Sequence, residues 1–297
     1  MKFRAVSSHA ACTECIKHKS VIQSLTHHLL ARRTQQDLYY KHLEAQFADR
    51  AVYWASRSDS RSKPDCLTII CDGMDQAKCA IPRHGLLKAK LFDGMQKPRL
   101  HLSAAICHGK FLALFLGEAD MPKDANSSME AVCCALQLAS ASTDLSQCDV
   151  TIQCDNTSRE LKNGHTLRLC AALVSNGTVR SMRVSCLRTG HSHEDVDQCF
   201  GQIASKLSKV RSILSSEELL QVITRVCREL ERPHERDRHV FKLDQCRDWR
   251  PWLLQAIPAK LVGIGGPGAP HVFHFCRFSL TGIRSTCFVL FGVVSFV

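Results

Sequence analysis

The chain has 297 residues, of which 45% are hydrophobic and 23% are charged, and this balance excludes a disordered or fibrous protein. Its formal net charge of +11 favours a polyanionic partner, because lysines and arginines near phosphates release counterions. The 17 cysteines are scattered, many in apolar runs, and residues 1–5 do not begin a signal peptide. We therefore expect buried thiols in a reducing, intracellular compartment.

Changes in pattern divide the chain into segments. Apolar residues recur at near-helical spacing between residues 21 and 55, and the polar stretch 56–64, which ends in proline, predicts a linker. The four predicted segments are a helical N-terminal segment (1–63), an α/β domain (64–213), a small helical and Gly/Pro-rich C-terminal extension (214–280) and an apolar tail (281–297).

The first residues contain a spaced set of metal-ligating side chains, namely His9, Cys12, Cys15 and His18. Zinc sites commonly use two cysteines with the spacing of Cys12 and Cys15, but a tetrahedral site needs further ligands. His18, or the neighbouring His27 and His28, lies at a suitable distance along the sequence. The pattern predicts a zinc site on Cys12 and Cys15, and a polar segment without metal is the alternative.

Five apolar, β-favouring runs and three helical patterns follow in the order strand, strand, strand, helix, strand, helix, strand, helix. The predicted strands are 66–71, 100–107, 111–116, 150–154 and 179–187. The predicted helices are 129–141, with a cap at residues 126–128, then 161–174 and 194–213. This order is the topology of the ribonuclease H-like fold, so we expect an α/β domain around a mixed five-stranded sheet.

Three aspartates fall where this topology brings distant segments together. Asp72 ends the first strand, Asp155 ends the fourth, which neighbours the first in the fold, and Asp197 lies one turn into the last helix. Phosphodiester cleavage needs charge stabilisation at two oxygens, which two Mg²⁺ or Mn²⁺ ions about 3.5–4 Å apart provide. Because Mg²⁺ prefers carboxylate oxygens, we predict that Asp72, Asp155 and Asp197 are catalytic metal ligands.

Other polar residues lie next to these acids in the sequence. Glu194 is an alternative third carboxylate, because it precedes Asp197 by three residues on roughly the same helical face. Asn156 would hold Asp155 in place, unless it only forms a turn. The candidates for phosphate contact or for orienting a water are Lys162, His191 and His193. The plainer interpretation of these three is a solvated lysine and two histidines that cap a helix.

Three motifs have a recognisable spacing: Asp72-Gly-Met-Asp-Gln-Ala-Lys78, Asp155-Asn156 followed by Lys162-Asn163, and Gly190-His191-Ser192 followed by Asp197 and Phe200-Gly201. Together they resemble an uncharacterised eukaryotic family of transposase-derived domains, over roughly residues 66–210. The resemblance implies a ribonuclease H-like fold of the DDE/DDD integrase type and a nuclease or transposase ancestry. It also implies nucleic acid, above all DNA, as the partner and the nucleus as the location.

Two main functions follow from these features. The first is a metal-dependent nuclease or polynucleotidyl transferase derived from a mobile element. The alternative is a catalytically inactive nucleic-acid-binding domain of domesticated transposase origin, and a protein-interaction scaffold is a third, weaker option. No membrane partner is expected, because the apolar run 287–297 is far shorter than the roughly 20 residues of a membrane span.

Overall fold

The computed structural model describes residues 12–92, 94–155, 160–187, 190, 195–258, 264, 271–280 and 283–285. The α-helices are α1 (Thr13–Ser24), α2 (Leu29–Ser62), α3 (Ala125–Ser140), α4 (Gly164–Ser175), α5 (Asp195–Leu207), α6 (Ser216–Arg228) and α7 (Trp249–Ala256). The strands are β1 (Cys66–Gly73), β2 (His101–Cys107), β3 (Phe111–Gly117), β4 (Asp149–Cys154), β5 (Ser181–Cys186), β6 (Asp237–Leu243), β7 (Val272–Cys276), β8 (Phe278–Leu280) and β9 (Ile283–Ser285).

Strands β1 to β7 form one mixed sheet in the order β6-β3-β2-β1-β4-β5-β7. β1, β2 and β3 are antiparallel neighbours, whereas β4 pairs in parallel with both β1 and β5. The predicted position of the fourth strand beside the first is therefore confirmed. β8 and β9 form a separate hairpin. The described part of the chain is an α/β protein with a seven-stranded mixed sheet.

The predicted five-stranded sheet lacks two strands, both of which come from the segment predicted as a C-terminal extension. β6 pairs in parallel with β3, and β7 pairs antiparallel with β5. β6 is a half-exposed edge strand in which charged residues interrupt the apolar ones, so its sequence is typical of a loop. β7 buries Phe273 and Phe275 on one face of the sheet. The extension thus supplies both edges of the sheet.

Two hydrophobic clusters lie on opposite faces of this sheet. Alternate residues of β1 belong to different clusters: Ile69 packs in the cluster with α3 and α4, and Ile70 packs in the cluster with α5 and α6. A strand buried on both faces has a continuous apolar sequence, which is why β1 to β5 are predictable from composition. The cysteines in the described ranges form no disulfides, and most are buried in these clusters, as their apolar neighbours predict.

Helix α2 continues through the stretch predicted as a linker, so that prediction is wrong. The helix ends at Ser62, just before Pro64, whose ring disfavours helical conformation in the preceding residue. Near this end, Ser60 Oγ donates to the carbonyl of His108 at 2.8 Å and accepts from the amide of Thr68 at 3.0 Å. Ser60 therefore fastens the end of the helix to the sheet and its turn.

None of the helices in the described ranges has the length and apolar character of a membrane span. The apolar run 287–297 lies outside the described residues.

Helix α3 begins with a capping box two residues before the predicted cap. Asp124 accepts hydrogen bonds from the amides of Asn126 and Ser127 at 2.9 and 3.3 Å. We expect Asp124→Ala to lower the free energy of unfolding by about 1 kcal/mol, because two helix-terminal amides lose their acceptor. Urea denaturation measures the change, with the exposed Asp120→Ala as the control. Equal stabilities of the two variants would contradict the capping role.

Candidate functional site

Asp72 and Asp155 lie side by side at one edge of the sheet. In the parallel pair of β1 and β4, Ile70 is opposite Gln153, and continuing this register by two residues places Asp72 beside Asp155. This is the carboxyl edge of the parallel strands, where open α/β sheets bind their ligands. The neighbouring strand β2 offers only the small Ala104 opposite Asp72, which leaves space at the edge.

The pKa of Asp72 is raised in part because acidic side chains lie close together at this edge. Burial raises the pKa of Asp72, and the negative charges of Asp155, Asp197 and Glu160 raise it further, to about 7. The amide of Gly73, which donates to Asp72 Oδ1 at 2.7 Å, lowers the pKa only in part. The three predicted acids are thus close enough to act on one another electrostatically. Repulsion of this kind is relieved by a bound cation.

Glu160 and Lys123 belong to this edge, and the sequence did not indicate either. Lys123 Nζ lies 3.1 Å from Glu160 Oε1. Gly73 makes room for this ion pair, because a Cβ at Gly73 would lie 3.0 Å from Lys123 Cε. Glu160 follows no strand and Lys123 only precedes a helix, so neither stands in a recognisable pattern. Gly73 is the one local signal, because a glycine without a Cβ leaves room for another side chain to approach.

We call the carboxylates of this edge the acid edge; they are Asp72, Asp155, Glu160 and Asp197. They are more widely spread than the ligands of a single ion. In the described ranges, one group of three His, Cys, Asp or Glu side chains has ligand atoms that all lie within 4.8 Å of one another, namely Cys12, Cys15 and His42, and this group does not include the acid edge. Two ions about 3.5–4 Å apart need carboxylates distributed over a longer span than one ion does.

The first turn of α5 holds two acids with different surroundings. Asp195 Oδ2 accepts hydrogen bonds from Tyr53 Oη at 2.8 Å and from Arg57 at 2.7 Å. Burial acts to raise the pKa of Asp195, but Arg57, His108 and Tyr53 hold it below its usual value. Asp195 therefore fastens α5 to α2, which leaves Asp197 as the acid of this turn that faces Asp72. Glu194, the alternative third acid, lies outside the described residues.

Beneath this turn lies a buried polar network that contains His108 and Glu235. His108 Nδ1 lies 3.4 Å from Glu235 Oε1, and Arg61 and Arg232 lie 3.4 and 3.6 Å from the same carboxylate. Burial lowers the pKa of His108, and the neighbouring carboxylates of Glu235 and Asp195 oppose this shift. Burial acts to raise the pKa of Glu235, but His108, the Gly109 amide and Arg232 together lower it to about 2. The network fixes α2 against the turn between β2 and β3.

Lys162 and Asn163 follow β4 and have separate roles. Asn163 caps α4, since its side chain accepts from the amides of His165 and Thr166 at 3.0 and 3.1 Å. Lys162 is only 5% exposed, so it is not the solvated lysine of the plainer interpretation. Three other candidates lie outside the described residues: Asn156, His191 and His193.

A second group of candidate ligands joins α1 to α2. His42 Nε2 lies 3.5 Å from Cys12 Sγ and 3.3 Å from Cys15 Sγ. All three side chains are buried, and their ligand atoms lie within 4.8 Å of one another. This Cys/His cluster (Cys12, Cys15 and His42) could bind a metal ion such as zinc. The predicted cysteines are thus confirmed as a candidate metal site.

The sequence did not indicate His42 as the histidine of this cluster. The neighbouring histidines that it favoured, His27 and His28, lie in and after the turn that ends α1 and are not part of the cluster. His18 is adjacent, with its ring centroid 5.9 Å from that of His42. A ligand on the second helix of a hairpin is set by how the helices pack, which no short spacing reveals.

The chain was also compared with known proteins. A family model described as a domain of unknown function, DUF7869, matches residues 90–280. The chain belongs to the DUF7869 family. The matched region includes Asp155 and Asp197, whereas Asp72 and the Cys/His cluster precede it. Searches of curated proteins and of solved structures found no match.

Proposed function

We propose that this DUF7869 protein has a ribonuclease H-like fold and acts on DNA as a metal-dependent nuclease or polynucleotidyl transferase of mobile-element descent, in the nucleus. The strongest support is the parallel register of β1 and β4, which sets Asp72 beside Asp155 as the expected strand order requires. Asp197 also lies close enough for its negative charge to act on Asp72. The two extra edge strands leave the central five strands in their expected order.

In this proposal Asp72, Asp155 and Asp197 would hold Mg²⁺ or Mn²⁺, which would supply charge stabilisation for attack on a phosphodiester. A water or a DNA 3′-hydroxyl attacks the phosphorus in line and gives up its proton to solvent, a new P–O bond forms, and the opposite P–O bond breaks. The leaving oxygen takes up a proton from solvent. Lys123, which pairs with Glu160 at the border of the acid edge, would contact a phosphate next to the one that reacts. The net charge of +11 favours the DNA backbone as partner.

A second candidate function is a catalytically inactive nucleic-acid-binding domain. The observation that favours it is the wide spread of the carboxylates compared with the Cys/His cluster. Such a domain would keep the fold and the positive charge without binding Mg²⁺ tightly at the acid edge. Binding and cleavage therefore need separate measurements.

The test is cleavage of supercoiled plasmid DNA with Mn²⁺ or Mg²⁺, comparing the wild type with Asp155→Asn. We expect metal-dependent nicking that falls more than about 100-fold in the variant, because losing a metal ligand costs more than losing a residue that supports one. Asp244→Asn, an exposed acid far along the chain, serves as the control and should cleave normally.

Three outcomes separate the proposals. Nicking that survives Asp155→Asn would sink the nuclease proposal, since a contaminating enzyme would then explain it. Salt-sensitive DNA binding with no cleavage in either protein would favour the inactive binding domain. A chain with no affinity for DNA at low salt would contradict both.

A further inference from the structure

The helical hairpin of α1 and α2 has little apolar material to hold it together. In α1 the buried residue is Cys15, and none of the three hydrophobic clusters includes a residue of this helix. Exposed apolar residues of the hairpin, such as Ile16 and Leu38, lie on its surface. A helix as short as α1 is marginal in water without packing. Small units without a core are usually stabilised by a disulfide or a metal, and Cys12 and Cys15 form no disulfide.

The distances within the Cys/His cluster fit a shared tetrahedral ion. A Zn–S bond of about 2.3 Å and a Zn–N bond of about 2.0 Å at the tetrahedral angle place sulfur and nitrogen about 3.5 Å apart. The two observed distances, from His42 Nε2 to Cys12 Sγ and to Cys15 Sγ, are 3.5 and 3.3 Å. Both thiols therefore approach the same imidazole nitrogen as ligands of one zinc ion would.

The orientation of the His42 ring also suits a metal ligand. His42 Nδ1 lies 2.7 Å from Glu14 Oε2, so the proton of a neutral ring is held on Nδ1. The lone pair of Nε2 is then directed at the two sulfurs. Carboxylates that accept from the far nitrogen of a histidine commonly fix metal-binding histidines in this way. The His42 side chain is 7% exposed, so few waters compete for the site.

We propose that Cys12, Cys15 and His42 bind one Zn²⁺ that fastens α1 to α2, with His18 as the fourth ligand and Glu14 as the residue that orients His42. His18 lies one helical turn after Cys15, on the same face of α1. Its Nδ1 is 2.6 Å from Gln35 Nε2, which leaves Nε2 for the metal after a ring rotation. This site is structural and does not depend on the acid edge or on any nuclease activity.

The experiment uses the full chain purified without chelator. We expect about one zinc per chain by plasma mass spectrometry, and cobalt replacement should give the thiolate charge-transfer and visible bands of tetrahedral sites. Cys15→Ser and His42→Ala should lose both signals. The matched controls, Cys246→Ser and His27→Ala, remove a cysteine and a histidine that are not in the cluster and should retain them.

Hydrogen exchange tests the structural role separately. The α1 amides should exchange at least about 10-fold faster once zinc is removed, because the helix then loses its main tertiary attachment. The proposal is overturned by a zinc-free wild type that gives no cobalt bands, by zinc that survives Cys15→Ser, or by α1 exchange that chelation leaves unchanged. A His18→Ala chain that binds cobalt as tightly as the wild type would overturn the assignment of the fourth ligand.

Discussion

Replacing Asp72 with asparagine is expected to stabilise the metal-free protein at pH 8 while abolishing metal-dependent cleavage. Burial and three neighbouring acids raise the pKa of Asp72 from 3.8 to about 7, so the folded state holds this charge at a cost. That difference sets a ceiling of about 4 kcal/mol, and partial access of solvent reduces the expected gain to about 2 kcal/mol. Asparagine removes the charge and keeps the acceptor for the Gly73 amide.

The sign of this effect depends on pH. Below pH 4 Asp72 is protonated in both the folded and the unfolded state, so wild type and Asp72→Asn should be equally stable. Between pH 4 and 7 the folded state binds the proton more tightly, and the wild type loses stability as the pH rises. Above pH 7 the difference is fully developed.

Urea denaturation from pH 4 to 8, with chelator, measures this difference, and Asp244→Asn serves as a matched control without acidic crowding. Adding Mn²⁺ should then stabilise the wild type more than Asp72→Asn, because the ion binds only the folded acid edge. If Asp72→Asn is less stable than the wild type at pH 8, the carboxylate of Asp72 is not destabilised by burial and by its acidic neighbours. A gain that is equal at pH 4 and pH 8 would point to packing instead of charge.

Replacing Glu235 with glutamine is expected to cost about 3 kcal/mol of stability at pH 7, because the buried Arg232 side chain and the partly exposed Arg61 then lack their counter-charge. The Glu235 side chain is 2% exposed and lies within 3.4 to 3.6 Å of both arginines and His108. The exposed Glu231→Gln, four residues earlier in the chain, is the control and should change stability by less than about 0.5 kcal/mol.

The pH dependence gives a second test of Glu235. Its pKa is lowered from 4.5 to about 2, so its contribution is complete above pH 4.5 and is lost as the pH falls towards 2. The gap between the wild type and Glu235→Gln should therefore narrow in acid. A gap that stays constant from pH 7 to pH 3 would show that Glu235 acts through shape rather than charge.

The sequence predicted the centre of the sheet well and its edges poorly. β1 and β4 are apolar runs that end on an aspartate, so both the strands and the candidate acids were visible. β6 could not be predicted because polar residues, among them Arg238 and Lys242, interrupt its apolar residues irregularly, so its sequence has no clear period. The end of α2 has the composition of a linker because its polar side chains bond to distant parts of the chain, as Ser60 does to Thr68 and Arg57 to Asp195.

The candidate sites show the same division between local and distant information. Asp72 and Asp155 could be predicted because each follows a recognisable strand. Glu160 could not, because its approach to Lys123 and Asp72 depends on a turn after β4 and on the start of α3. His42 could not, because α1 must fold back on α2 before it meets the cysteines. The sequence identifies candidate ligands that share an element or follow a recognisable strand, and it misses those that only the packing of irregular segments or helices brings together.

Helix α2 connects the Cys/His cluster to the first turn of α5, which lies at the acid edge. Its 34 residues span about 50 Å, and its buried residues, Tyr53 and Ser60, lie in its second half. His42 precedes Tyr53 in the helix and lies about 16 Å from it along the helix axis, towards the amino terminus. Tyr53 and Arg57 both hold Asp195, two residues before Asp197. The helix is therefore the covalent and hydrogen-bonded connection between the amino-terminal hairpin and the first turn of α5, which also carries Asp197 of the acid edge.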